Sequence, residues 1–219
     1  MTNSGKIAWL AGGSGLVGSQ LLKVLDEDSN IQVCYVFGRS EMRDLSSKFH
    51  FVKTDFENIQ IGTLTKADYV FCTLGTTIKK AGSRERFREF DYGYPLQIAR
   101  LGLQQGAQHF LLVSALGADA RSRIFYNRVK GELEEAMVML PYRSITIARP
   151  SLLLGPRQEL RPAEAIGQRL GFLLPERYKP IDATAVATVL VEAARQDRPG
   201  TRIFESTDIK AQAQHLLHS

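Results

Sequence analysis

Three residue types near the middle of the 219-residue chain have the spacing of an acid–base site. Tyr126-Asn127-Arg128-Val129-Lys130 sets a phenol four positions before an ammonium. Residues four apart share one helical face, so both groups can reach the same pocket. A free phenol titrates near ~10 and exchanges protons poorly at neutral pH, but an ammonium beside it favours the phenolate. Upstream, Ser114 closes the apolar, strand-like run Phe110–Ser114. Strand ends of parallel sheets face the ligand crevice, where a hydroxyl can polarise a substrate carbonyl. Ser114, Tyr126 and Lys130 are therefore the candidate catalytic residues, for chemistry at a carbonyl or alcohol oxygen. YxxxK alone is usually an exposed aromatic beside a solvated lysine, so its weight depends on the elements upstream.

The first of these is Gly12-Gly13-Ser14-Gly15-Leu16-Val17-Gly18, directly after an apolar run and at the start of a helical pattern. It satisfies GxGxxG through Gly13, Gly15 and Gly18, and GxxGxxG through Gly12, Gly15 and Gly18. Glycines permit a tight turn, close backbone approach to a pyrophosphate, and helix-on-strand packing. The helix N-terminus adds unpaired N–H groups and partial positive charge for an anion. A phosphate loop of the nucleotide-hydrolase type needs Lys after the last glycine, where Ser19 stands, and a hydrolase elbow needs glycine where Leu16 stands. The bland alternative is a glycine-rich turn with no ligand; the strand–loop–helix order argues against it.

The second strand-like run ends Phe37-Gly38-Arg39-Ser40, so a guanidinium stands where an NAD site usually has a carboxylate. Guanidinium pairs with a 2′-phosphate through two parallel hydrogen bonds, and the Ser40 hydroxyl can add a donor. This favours NADP(H) over NAD, against the alternative of an ordinary surface arginine near Glu41. Asp55 can accept from the adenine amino group or cap the following turn. Lys130 can also hold the nicotinamide ribose hydroxyls, which fixes the ring for hydride transfer.

Elements able to position these groups alternate along the chain. Strands are expected at Ile7–Ala11, Ile31–Phe37, His50–Lys53, Tyr69–Thr73, Phe110–Ser114, Ile145–Ala148 and Thr201–Glu205. Helices are expected at 16–25, 125–139, 183–194 and 209–217, with one long helix through 84–104 that carries Gly93 and Pro95. Unalternated apolar runs such as Val33–Phe37 suit strands buried on both faces. The fold expected is α/β: a Rossmann-like, doubly wound parallel sheet, one domain over 1–219, with 151–201 supplying most of a small C-terminal substrate lobe.

Hydrophobic residues make up 44% and charged residues 23%, as in ordinary globular domains. The net charge of +5 comes without a basic run interleaved with stacking aromatics, so no nucleic-acid partner is expected. Arg84, Arg86 and Arg88 alternate with Glu85 and Glu89 as on a solvated helix face. The apolar run near the N-terminus is too short for a signal peptide or a membrane span, so a cytoplasmic protein without a membrane partner is expected. Cys34 and Cys72 lie in apolar runs as buried thiols, and the scattered His50, His109, His215 and His218 suggest no metal site.

The residues quoted above resemble those of the short-chain dehydrogenase/reductases, in particular the atypical group of Tat-interacting-protein-like oxidoreductases. The likeness spans nearly the whole chain: Gly12–Gly18, Phe37-Gly38-Arg39, Cys72-Thr73-Leu74-Gly75-Thr76-Thr77, His109-Phe110, Gly117-Ala118-Asp119, Tyr126–Glu132 and Arg149-Pro150-Ser151-Leu152-Leu153-Leu154. It implies an NADP(H)-binding core, a Ser114–Tyr126–Lys130 triad, and cofactor contacts from Leu74, Gly75, Thr76, Pro150 and Ser151. The last two segments can also be plain strand-terminating turns. A homodimer is expected by analogy with the superfamily. Relatives that act on larger substrates carry Asn in the middle helix, where this chain has Asp91, and have longer substrate lobes; a sugar nucleotide therefore fits poorly. The reading is an NADP(H)-dependent oxidoreductase for a small carbonyl or alcohol. The alternative is a redox-sensing regulator that binds the dinucleotide with little or no turnover; an epimerase ranks last.

Overall fold

The computed structural model describes residues 5–42, 45–59, 61–62, 66–154 and 175–217. Strand β1 (Lys6–Ala11) runs into α1 (Leu16–Glu27), followed by β2 (Ile31–Gly38) and β3 (Phe49–Lys53). β4 (Tyr69–Cys72) leads through α2 (Ile78–Ala81), α3 (Arg84–Arg88) and a π-helical turn (Glu89–Gly93) into α4 (Tyr94–Gln104). Then come β5 (His109–Val113), α5 (Phe125–Val138), β6 (Ser144–Arg149) and β7 (Leu153–Leu154). A 3₁₀ turn (Glu176–Tyr178), β8 (Ile181–Asp182), α6 (Ala183–Gln196), β9 (Gly200–Glu205) and α7 (Ser206–Leu217) follow.

The main sheet has seven strands in the order β3-β2-β1-β4-β5-β6-β9, and every neighbouring pair is parallel. From β1 the chain winds outward to β3, then returns to the other side of β1 with β4. The strand order reverses between β1 and β4, and ligands of open α/β sheets bind at the carboxyl ends of such a switch point. α1, α6 and α7 cover one face through Leu21, Leu25, Val186, Leu190 and Ile209, packed with Leu10, Phe71 and Leu111 of the strands. α4 and α5 cover the other, where Ile98, Leu133 and Met137 join Trp9, Phe110 and Ile147. With both faces covered, β4 and β5 are buried at every residue, which is why their sequences do not alternate. Each large side chain removed from water here contributes about 1.5–3 kcal/mol.

Three expectations need correction. The helix through 84–104 is not continuous but is divided by the π turn. Pro95 has no N–H to give to the Asp91 carbonyl, and its ring would collide with that carbonyl in an α-helix. The wider turn relieves the collision, and Tyr94 N–H bonds the Glu89 carbonyl five residues back. Ser114 lies one residue beyond β5, although its N–H still donates to the Ala148 carbonyl at 2.8 Å. Asp55 takes the turn-capping role: its Oδ1 accepts from the N–H groups of Glu57 and Asn58 at 3.0 and 3.3 Å. Of the expected substrate lobe, residues 155–174 lie outside the described residues. What is described there is a small parallel pair, β7 with β8, and the helix α6.

Candidate active site

The glycine loop joins β1 to α1 at the switch point. Gly12 has φ +93°, a left-handed conformation that suits glycine, and a Cβ there would stand 2.6 Å from Thr73 Oγ1. A Cβ on Gly18 would meet the Gly12 carbonyl oxygen at 2.1 Å, so only glycine lets α1 approach the strand end this closely. Gly15 N–H donates to the Gly12 carbonyl at 2.8 Å and closes the turn. Gly15 is also the N-cap of α1; no side chain caps that end, and no acidic residue lies in the first turn. The positive end of the helix is thus left to an anion. Gly13 packs beside Val36, Ser14 is exposed at the loop tip, and Leu16 and Val17 turn into the core, leaving only their backbone to a ligand.

A cavity of about 630 Å³ opens over this loop, between the carboxyl ends of β1, β2 and β4. Gly12, Ser14 and Gly15 line one part of it, and Leu74, Gly75 and Thr76 another. Its far end holds Arg39 and Ser40 with Lys80 and Arg86. Phe90, on the π turn, lies 5.4 Å from the Arg39 guanidinium and 5.8 Å from that of Arg86, which gathers two cations on one ring. Arg86 also pairs with Glu89 at 2.8 Å and Glu57 at 3.3 Å, whereas Arg39 has no carboxylate partner among the described residues. Arg86 is exposed, as the alternating charges of 84–89 imply, and it also borders the cavity, as do Lys80 and Phe90, whose roles have no local sign in the sequence. Asp55 is not among the lining residues.

Of the acid–base candidates Lys130 lies behind the Leu74–Thr76 loop, and none of Ser114, Tyr126 and Lys130 is among the residues that line the cavity. Lys130 is buried on α5, and its Nζ stands 2.7 Å from Asp91 Oδ1. Asp91 Oδ2 accepts the Thr76 N–H at 2.8 Å, and a Cβ on Gly75 would come within 3.6 Å of Lys130 Nζ. The cavity wall and the buried amine are therefore adjacent. Burial alone pushes Lys130 down, but Asp91 and then Tyr126 more than offset it, so its net displacement is upward and the amine stays an ammonium. Tyr126 is half-buried, with its ring 5.5 Å from that of Phe87 on α3. Ser114 is buried, and its hydroxyl has no hydrogen-bond partner among the described residues. Its place just beyond the carboxyl end of β5 puts this hydroxyl on the side of the sheet where ligands of such folds bind.

The Arg149–Ser151 turn is committed elsewhere. Arg149 donates Nε and Nη2 to Glu134 on α5, at 3.1 and 2.5 Å, and Nη1 to Glu205 on β9 at 2.8 Å. Ser151 Oγ donates to the Lys179 carbonyl at 2.6 Å and accepts from the Ser206 hydroxyl. Pro150 is buried, its carbonyl accepting from Leu116 N–H at 2.9 Å. Neither Pro150 nor Ser151 lines the cavity.

Comparison with known proteins places this geometry. A family profile described as the NAD binding domain of semialdehyde dehydrogenase matches residues 8–88. The mitochondrial protein FMP52 of Candida albicans is 32% identical over 86% of this chain and 87% of its own length. Protein HTATIP2 of Rattus norvegicus is 33% identical over 84% of this chain and 78% of its own. The chain belongs to the atypical short-chain dehydrogenase/reductases. Within them this short-chain dehydrogenase/reductase stands with the Tat-interacting-protein-like group. Among solved structures, the Bordetella bronchiseptica enzyme WbmG in complex with NAD matches with TM-score 0.67 and 15% identity, over 99% of this chain and 79% of that one. A UDP-N-acetylglucosamine 4-epimerase from Methanobrevibacter ruminantium matches with TM-score 0.70 and 14% identity, over 98% and 83%. At such identities the likeness is one of fold, and the fold is that of NAD(P)-binding oxidoreductases and epimerases. The cytoplasmic expectation is corrected by the same comparison, because the FMP52 relatives from three yeasts are named mitochondrial. Among the described residues no helix is long and apolar enough to cross a membrane.

Proposed function

We propose that this protein is an NADP(H)-dependent oxidoreductase that interconverts a small carbonyl compound and its alcohol. One observation carries the reading: a buried Lys130, four residues after Tyr126, packs against Gly75, and Gly75 lines the same cavity as the glycine loop. The lysine of the candidate acid–base pair and the dinucleotide cradle thus lie on two sides of one loop.

The dinucleotide, when bound, supplies or takes up the hydride. The N-terminus of α1, approached closely over the glycine loop, binds its pyrophosphate. Arg39, held over Phe90, takes the 2′-phosphate with help from Ser40. Ser114 donates its hydroxyl to the substrate oxygen, which polarises the carbonyl. In reduction Tyr126 gives that oxygen its proton, and in oxidation takes it back. Lys130 favours the charged form of the phenol and binds the ribose hydroxyls.

The test combines dinucleotide binding with turnover. Wild type is expected to bind NADPH more tightly than NADH, followed by nicotinamide fluorescence, and to consume NADPH with some member of an aldehyde, ketone and quinone panel. Tyr126→Phe should abolish turnover and keep NADPH affinity. Arg39→Ala should weaken NADPH by about 1–3 kcal/mol and leave NADH nearly unchanged. Binding without turnover across the panel would favour a dinucleotide-sensing regulator; equal losses for both dinucleotides would remove Arg39 from its role.

A further inference from the structure

Helices α3 and α5 meet along a seam whose charge is balanced at one end only. Residues 84, 87 and 88 share one face of α3, and that face meets α5. Arg88 pairs with Glu132 of α5. The fully buried Phe87 ring stands 5.5 Å from that of Tyr126 and 5.7 Å from that of Phe125, at the start of α5. Arg84 continues the seam beyond Phe87, its guanidinium 5.2 Å from the centre of the Phe125 ring. Arg128, on the next turn of α5, brings a second guanidinium to 5.7 Å from the same ring. Two cations thus gather on the side chain adjoining the candidate acid–base tyrosine.

Neighbouring carboxylates do not neutralise them. Arg86 and Arg88 are paired with carboxylates, whereas Arg84, on the same helix, has no such partner among the described residues. Arg128 Nη1 donates to the Ser122 carbonyl at 2.9 Å, a neutral group. Glu85 is spent on the start of its own helix, where its N–H and the Ser83 hydroxyl hold its carboxyl below the ordinary carboxylate range. Asp119 Oδ1 accepts the Arg121 N–H at 2.9 Å and lies 3.9 Å from Arg121 Nε, with both side chains largely in water. Arg121 and Arg123 add two exposed cations to the segment between Ser114 and Tyr126. No side chain caps α5 and no acidic residue lies in its first turn, so its dipole adds the same sign. Like charges gathered this way repel one another unless an anion joins them.

We propose that the substrate is a carbonyl compound that also bears an oxyanion group, a carboxylate or a phosphate, and that Arg84 and Arg128 hold this group while the carbonyl meets Tyr126. The guanidinium fork matches either oxyanion through parallel hydrogen bonds. The proposal rests on the oxidoreductase reading for the reaction, and on the arginine pair for the class of substrate. The oxyanion orients the molecule and takes no part in the bond changes.

Matched probes test this at saturating NADPH: para-carboxybenzaldehyde against para-methylbenzaldehyde, and glycolaldehyde phosphate against glycolaldehyde. In at least one pair the anionic member is expected to lead by about tenfold or more in kcat/KM, the scale of a charge-assisted hydrogen bond; which pair shows it tells carboxylate from phosphate. The lead should shrink as salt rises to about 0.5 M and fall toward unity in Arg84→Gln and Arg128→Gln. Arg198→Gln, an exposed site before β9 at the opposite end of the sheet, should keep it. Calorimetry needs no turnover: in the NADPH complex, para-hydroxymethylbenzoate is compared with para-methylbenzyl alcohol, and ethylene glycol phosphate with ethylene glycol. An anionic alcohol should bind more tightly than its neutral partner, and less so in Arg84→Gln. Equal values within both pairs would overturn the proposal, as would a lead that survives both substitutions. Should the variants fail to fold, a wild-type lead indifferent to salt would still refute it. A chain that turns over no probe would end the enzymatic reading, and the calorimetry would then decide on the arginine pair alone.

Discussion

Acid should weaken this fold through one imidazole at the base of the sheet. His109 opens β5 without solvent exposure; its Nε2 lies 2.9 Å from Thr146 Oγ1 and its Nδ1 3.4 Å from Asp197 Oδ1. A neutral ring can accept from the threonine hydroxyl, while its Nδ1 lies beside the carboxylate without a hydrogen bond. Burial pulls His109 down from 6.5 to about 4; Asp197 resists, while Arg202 and Arg143 reinforce the fall. The unfolded chain binds a proton at His109 below about pH 6.5, and the folded one only near about pH 4. The contribution is therefore complete above the upper value and is lost as pH falls through that window. At about 1.4 kcal/mol per pH unit the total is roughly 3 kcal/mol. Urea unfolding of wild type and His109→Gln, from about pH 7 to about pH 4.5, isolates the effect, because acid losses elsewhere in the fold occur in both proteins. Glutamine is polar, can keep a hydrogen bond with Thr146, and does not titrate. It should cost about 1 kcal/mol at neutral pH, and the gap should close and reverse near the acid end. Parallel stability curves for the two proteins would refute the reasoning.

Two further outcomes follow from contacts at the site and behind it. Gly18→Ala puts a methyl 2.1 Å from the Gly12 carbonyl, so α1 must back away from the loop; NADPH affinity should fall at least roughly tenfold, about 1.4 kcal/mol, as followed by fluorescence titration. Arg149→Met strands the buried Glu134 carboxylate without its guanidinium. Thermal and urea unfolding should report a loss of about 3 kcal/mol, at the lower end for a broken buried pair because Arg149 is partly reached by water.

Much of this architecture was legible in the chain because it depends on local rules. Val33–Phe37 and Phe110–Val113 read as strands covered on both sides, and both lie in strands with helices on each face. Gly12 to Gly18 announced a turn that other residues cannot make. Less legible was whatever depended on two distant segments meeting. Nothing near Asp91 in the sequence points to Lys130, nor does Phe90 point to Arg39; each pairing exists only because the sheet brings β2, β4 and α5 to one crevice. The π turn had a local sign, Pro95 four residues after Asp91, but helical periodicity across 84–104 concealed it. Asp55 was ambiguous because one carboxylate can cap a turn or accept from a ring, and the turn lay nearer.

The wide turn at Glu89–Gly93 uncouples the two halves of what would otherwise be one rod. The phase of α4 against the sheet is set by residues such as Ile98 and Ala99. The phase of α3 and of the turn itself is set by Phe87 and by the Asp91 carboxylate. Pro95 keeps the extra residue from migrating along the helix, because the ring is compatible with only one local register. Repacking on the α4 side can therefore proceed without rotating the carboxylate out of the crevice, which leaves core and chemistry free to vary separately.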